Sequence, residues 1–134
     1  MEKIVLSAKL ENLQTMLGFI REKAKALGFD DKTINQIQLA SEELLVNVIN
    51  YAYPDINGEI EITCTPKQNK GLEVEIVDSG IPFNPLSQPE PDTKAPLEKR
   101  KIGGLGIHLI RNTMDELNYK RQEGRNIFTF LKNL

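Results

Sequence analysis

The stretch from Glu59 to Ile76 limits the possible folds more than any other, because it alternates twice with a period of two residues. In the first run Ile60, Ile62 and Cys64 are interleaved with Glu59, Glu61 and Thr63; in the second Leu72, Val74 and Ile76 are interleaved with Glu73 and Glu75. Successive side chains of a strand point to opposite faces, so each run describes a strand that is apolar on one side and wet on the other. A turn near Gln68 to Gly71 joins them as a hairpin. A sheet with one wet face needs a single apolar cover, and the remaining patterns supply helices for it.

Leu10, Leu13, Leu17, Ile20, Ala24 and Leu27 recur at three- and four-residue steps before Gly28, which predicts an amphipathic helix closed by a glycine. Asp30 or Asp31 caps a second helix. One stripe of that helix is Ile34, Ile37, Ser41, Leu44 and Val48; another is Gln36, Ala40, Glu43, Asn47 and Tyr51. Lys3 to Ser7 is a short strand candidate, and Tyr53 to Gly58 carries the Pro and Asn-Gly punctuation of a loop. Downstream, Ile107, Ile110, Met114 and Leu117 fit a third helix, and Gly124 precedes a last strand from Asn126 to Lys132. Between Ile81 and Ile102 fall five of the seven prolines, Pro82, Pro85, Pro89, Pro91 and Pro96. A loop of this length in a compact domain reads as a functional element, here a mobile lid at about 81–103. The order β, α, α, β, β, lid, α, β predicts an α+β fold: a two-layer sandwich whose mixed, mostly antiparallel sheet is covered by helices on one face.

At 134 residues the chain has the size of one domain, expected to span 1–134. A formal charge of −2 removes general attraction to nucleic acid or to acidic membrane surfaces. Cys64 is the only cysteine, which excludes an intrachain disulfide and a zinc cluster built on thiolates, and its place in an alternating strand makes it inert core. No apolar run approaches the length of a membrane span, so a soluble cytoplasmic protein is expected.

Three separated pieces carry chemistry. Glu43 and Asn47 stand four residues apart on the second helix and therefore on one face of it. The first is a carboxylate able to take a proton; the second is a neutral amide whose oxygen suits a hard cation. Asp78-Ser79-Gly80 then forms a turn at a strand end, and Gly103-Gly104-Leu105-Gly106 opens the third helix. Free N–H groups at such a helix start, with the positive end of the dipole behind them, suit phosphate oxygens. Singly these are a solvated helix face, a turn and a close-packed helix start. In this order they describe one nucleotide pocket. His108, in the apolar third helix, reads as a half-buried helix residue without a role, and Tyr51 and Tyr53 as packing residues.

With these motifs the chain resembles the GHKL group of ATPases, built on the Bergerat ATP-binding fold. Within that group it looks like the small anti-sigma-factor serine kinases of the RsbW and SpoIIAB type. The resemblance runs from about Ile4 to Leu134 and rests on Glu43 with Asn47, on Asp78, Gly80 and Phe83 as an Asp-x-Gly-x-x-Phe motif, and on Gly104 and Gly106 as a Gly-x-Gly before a helix. It implies that Asp78 accepts a hydrogen bond from the adenine amino group, that Gly80 lets backbone approach the base, and that Asn47 holds Mg²⁺. It further implies that Gly104, Leu105 and Gly106 line the phosphates, that Thr129 on the closing strand lies near the nucleotide, and that Glu43 takes the proton from an attacking hydroxyl. A basic residue often precedes the glycine turn in the family, where this chain has Ile102 with Arg100 and Lys101 upstream, and Tyr51 stands where a histidine is common.

The resemblance thus implies an ATP- and Mg²⁺-dependent protein serine kinase that also binds a sigma factor, its substrate an anti-anti-sigma protein of the STAS type and its state a homodimer. Two alternatives follow the same residues: a nucleotide-dependent regulatory binding module with little catalysis, or a detached histidine kinase-like ATPase domain. Glu43 favours transfer to a hydroxyl over transfer to an imidazole.

Overall fold

A computed structural model describes residues 1–54, 56–68, 71–83 and 104–133. The elements are β1 (Glu2–Ser7), a 3-10 turn (Leu10–Asn12), α1 (Leu13–Ala26), α2 (Asp31–Tyr51), β2 (Glu59–Pro66), β3 (Leu72–Asp78), α3 (Gly104–Thr113), β4 (Glu116–Gln122) and β5 (Arg125–Lys132). The strands form one sheet in the order β1-β2-β3-β5-β4. The sheet expected to be mixed and mostly antiparallel is antiparallel in every pairing. The segment expected to form the lid lies outside the described residues beyond residue 83.

Helix α1 buries Leu13, Leu17, Ile20 and Ala24 of the predicted stripe, together with Met16, which the stripe did not include; Leu27 is half-buried, and Leu10 stays outside the helix and exposed. Its end is a Schellman motif. Gly28 takes φ 90°, its N–H donates to the Lys25 carbonyl at 3.0 Å, and the Phe29 N–H donates to Ala24 at 3.4 Å. Phe29 is thereby turned into the core beside Ala24. Two residues later α2 starts with Asp30 as its cap, whose carboxylate accepts from the Thr33 N–H at 2.8 Å. The tight link makes α1 and α2 neighbours that pack along each other.

The β2–β3 hairpin has the expected phase: Ile60 faces Asp78, Ile62 faces Ile76, and Cys64 faces Val74 across the strands. Ile60, Ile62, Cys64, Leu72, Val74, Ile76, Phe128 and Phe130 are all buried on the helix side, against the stripes of α1 and α2 and against Ile110 of α3. Burial pushes the Cys64 thiol up to about 12, which keeps it an unreactive core group. On the open face Glu61 is held between Lys3 and Arg125, each 2.6 Å away, and these cations keep its carboxyl below the usual range. No described helix is long and apolar enough to cross a membrane.

The third helix is shorter than the sequence pattern implies. It ends at Thr113, and Leu117 lies in β4, an edge strand that the periodicity assigned partly to helix. Met114 and Leu117 keep helical spacing by coincidence. In the folded chain Leu117 alternates with the half-buried Tyr119 against exposed Glu116, Asn118 and Lys120. A two-residue turn, Glu123 at φ 53° and Gly124 at φ 76°, reverses β4 into β5 with the two positive φ angles that a type I′ hairpin requires.

Candidate functional site

The site lies where the C-terminal half of α2 meets the ends of β3 and β5. Along α2, Glu43, Asn47 and Tyr51 fall on one face, as their spacing requires. Asn47 is buried, and its Nδ2 donates to the Glu43 carbonyl oxygen at 2.9 Å and to Glu43 Oε1 at 3.3 Å. Both amide hydrogens are thereby committed within the helix, so Oδ1 is the atom left to serve a cation. Glu43 is half-buried. Burial raises its carboxyl pKa, the Asn47 hydrogen bond opposes the shift, and the neighbouring Glu42 adds to it. A carboxylate so tuned is a better proton acceptor than one in free solution.

Asp78 closes β3 and is 1% exposed. Its Oδ1 accepts from the Gly80 N–H at 2.9 Å and from Asn126 Nδ2 at 2.8 Å. Its Oδ2 is buried and has no hydrogen-bond partner among the described residues. Burial dominates and raises the carboxyl pKa, against the lowering effect of Asn126, of the Gly80 N–H and of Arg121. A buried acceptor left unmet costs about 1–3 kcal/mol, so an amine donor reaching Oδ2 would recover that free energy.

Gly80 serves the turn. A Cβ there would lie 2.1 Å from the Ala52 carbonyl oxygen at the end of α2, and the same oxygen accepts from the Ile81 N–H at 2.9 Å. Here the backbone approaches the end of α2 closely. It fixes Asp78 relative to Asn47, which is five residues, about 7.5 Å, up the helix from Ala52. Phe83 follows and its ring meets Tyr51 at a centroid distance of 5.5 Å. Tyr53 ties the other side of the turn, its hydroxyl donating to the Glu59 carbonyl and accepting from the Ser79 N–H, both at 2.7 Å.

Thr129 does not join this group. It lies between Phe128 and Phe130, which point into the core, and is paired in register with Glu75 and Asn118 on the open face. The residue of β5 that reaches the site is Asn126, directly across from Asp78 and fully buried. The signal that could have found it is phase: Asn126 is the one polar residue in the inward series Asn126, Phe128, Phe130. Gly104, Leu105 and Gly106 form the first turn of α3, which packs against α2. Arg100 and Lys101 lie outside the described residues. His108 is half-buried with its Nε2 3.1 Å from Asn112 Nδ2.

A one-sided antiparallel sheet whose buried strand-end carboxylate sits below a glutamate–asparagine helix places the chain among nucleotide-binding domains of the GHKL class. A family model described as histidine kinase-like ATPase domain matches residues 6–132, and the chain belongs to that family. Its relatives include serine-protein kinase RsbW of Bacillus cereus, 32% identical over 108 residues, which cover 78% of this chain and 67% of that protein. RsbW of Bacillus thuringiensis is 31% identical over the same length and shares. Among solved structures, the RsbU and RsbW domains of a Mycobacterium tuberculosis protein superpose with a TM-score of 0.67 at 14% identity, covering 100% of this chain and 33% of that one. The histidine kinase domain of a blue-light activated histidine kinase from Erythrobacter litoralis gives 0.61 at 19% identity, covering 91% and 61%. These two show the shared fold; the RsbW relatives place the chain on the serine-kinase branch of the family.

Proposed function

We propose that this chain is an ATP-dependent protein serine kinase and anti-sigma factor of the RsbW kind. It phosphorylates a serine of an anti-anti-sigma antagonist of the STAS type and otherwise sequesters a sigma factor in the cytoplasm, acting as a homodimer. The observation that carries the nucleotide part is Asp78: a buried carboxylate with one oxygen doubly engaged and the other spare, which matches the exocyclic amine of adenine. Asn47 Oδ1 would hold Mg²⁺ as a single protein ligand, since this ion keeps most of its water and takes its remaining oxygens from phosphate. When bound, the ion neutralises charge on the β- and γ-phosphates. Backbone N–H groups of Gly104, Leu105 and Gly106 meet phosphate oxygens at the start of α3. Glu43, one turn above Asn47, removes the proton from the incoming serine hydroxyl.

A thermal unfolding series with Mg-ATP, Mg-ADP and Mg-GTP tests the nucleotide part. The adenine nucleotides are expected to stabilise the folded chain by about 2.7 kcal/mol at roughly 100 times their dissociation constant, and Mg-GTP far less. Incubation with Mg-ATP and the cognate antagonist is expected to place phosphate on a serine. Binding without any transfer would remove the kinase assignment and leave a nucleotide-dependent binding module. A mass by size-exclusion chromatography with light scattering tests the dimer.

A further inference from the structure

We infer that Asn126, braced by Tyr119, sets the base preference of the site; the inference rests on the nucleotide reading above. Neither residue belongs to the motifs that drew attention to the pocket. All four hydrogen-bonding positions of the Asn126 amide are used. Its Nδ2 donates to Asp78 Oδ1 and to the Ile81 carbonyl, both at 2.8 Å. Its Oδ1 accepts from the Tyr119 hydroxyl at 2.6 Å and from the Phe83 N–H at 3.3 Å. Because the Ile81 carbonyl can only accept and the Phe83 N–H can only donate, the amide has one orientation that satisfies both. Reversing it would set N–H against N–H and oxygen against oxygen inside a fully buried site.

The orientation matters for Asp78. With the amide N–H₂ turned towards it and the Gly80 N–H on the same oxygen, the carboxylate receives donors only and is held as an acceptor. Both donors favour the ionised carboxylate over its acid, and the spare Oδ2 of the ionised form takes an N–H group and repels a carbonyl oxygen. Adenine carries an amine at its 6-position and guanine a carbonyl oxygen, so the hydrogen-bond direction fixed at Asn126 is read out as selection of adenine. Tyr119 supplies the shortest of the four bonds from the edge strand β4, and its ring is anchored on Phe128 at a centroid distance of 5.1 Å. It is a positioning residue.

Calorimetric titration of Mg-ATP and Mg-GTP into the parent chain, Asn126→Asp and Tyr119→Phe tests this, with the thermal midpoint of each recorded. Asn126→Asp keeps the shape but sets a second carboxylate against Asp78, which must then share a proton; the ATP-to-GTP affinity ratio is expected to fall at least tenfold. Tyr119→Phe removes one oxygen atom and keeps the ring contact, and its ratio is expected to fall about threefold to tenfold, the worth of one hydrogen bond. Should Asn126→Asp fail to fold, Tyr119→Phe decides alone. A purely structural role would lower the midpoint and weaken both nucleotides alike; an unchanged ratio in the folded variants overturns the inference. A parent chain that binds neither nucleotide would instead remove the nucleotide reading beneath it.

Discussion

Asp78 is worth most at the scale of single residues because its contribution to stability and its proposed contribution to binding have opposite signs. Its folded carboxyl holds a proton more tightly than the unfolded chain does. The stability contributed by this group is thus fully present below the ordinary aspartate range and is lost as pH rises through the raised folded value. Above that value the unliganded protein carries the desolvation penalty of the ionised carboxylate. Asp78→Asn, which keeps an oxygen for the Gly80 and Asn126 donors, is expected to leave the thermal midpoint of the unliganded chain unchanged or higher while abolishing stabilisation by Mg-ATP. A midpoint that falls together with binding would mark Asp78 as structural. Glu43 makes the complementary case. Glu43→Gln is expected to lower phosphoryl transfer by about 10²–10⁴-fold with Mg-ATP affinity retained. In the parent, activity should decline as pH falls through a value above the ordinary glutamate range, because burial raises the Glu43 carboxyl and only its ionised form accepts the proton; a rate profile against pH, flattened in the variant, checks this. The positions of Glu43, Asn47 and Asp78 were legible because each motif is local. Thr129 was misplaced for an equally simple reason: it lies an odd number of residues from Asn126, and an odd offset along a strand lands on the opposite face.

Among the elements, those with a strong single period were readable and β4 was not. Helix α2 and the β2–β3 hairpin each bury the stripe that their spacing marks, and α1 buries all of its own except the two end residues Leu10 and Leu27. β4 is an edge strand, half-buried only at Leu117 and Tyr119, and its remaining residues are polar or charged. Its turn gives little warning, since Glu-Gly lacks the asparagine or aspartate common at the first position of a type I′ hairpin. Glu123 at φ 53° holds a left-handed conformation that an ordinary side chain adopts at a cost of roughly 1–2 kcal/mol and asparagine more easily. Glu123→Asn is accordingly expected to stabilise the chain by about 1 kcal/mol, seen as a higher urea midpoint at constant slope. No gain would mean that the Glu123 side chain compensates in the folded state.

The whole molecule is organised around β5. The last strand inserts between β3 and β4, so the hydrophobic core and the site share one strand: Phe128 and Phe130 fill the former, and Asn126 enters the latter. Phe128→Ala is expected to destabilise the fold by about 3–5 kcal/mol. Against a typical total of about 5–15 kcal/mol this is a large fraction, and denaturant titration should show a marginal protein whose stability Mg-ATP partly restores.

By itself the amino-acid order determined which segments are helical or extended, which side of each faces the core, and that a carboxylate, an amide, an aspartate turn and a glycine-led helix accompany one another. These properties depend on neighbours within a turn or two of chain. Only the tertiary structure decided that β5 lies against β3, that Asn126 rather than Thr129 meets Asp78, and that Gly80 closes on Ala52. Strand pairing joins residues such as Asp78 and Asn126, 48 positions apart, through main-chain groups that every residue carries, so its partner and register are settled by the packing of the entire core.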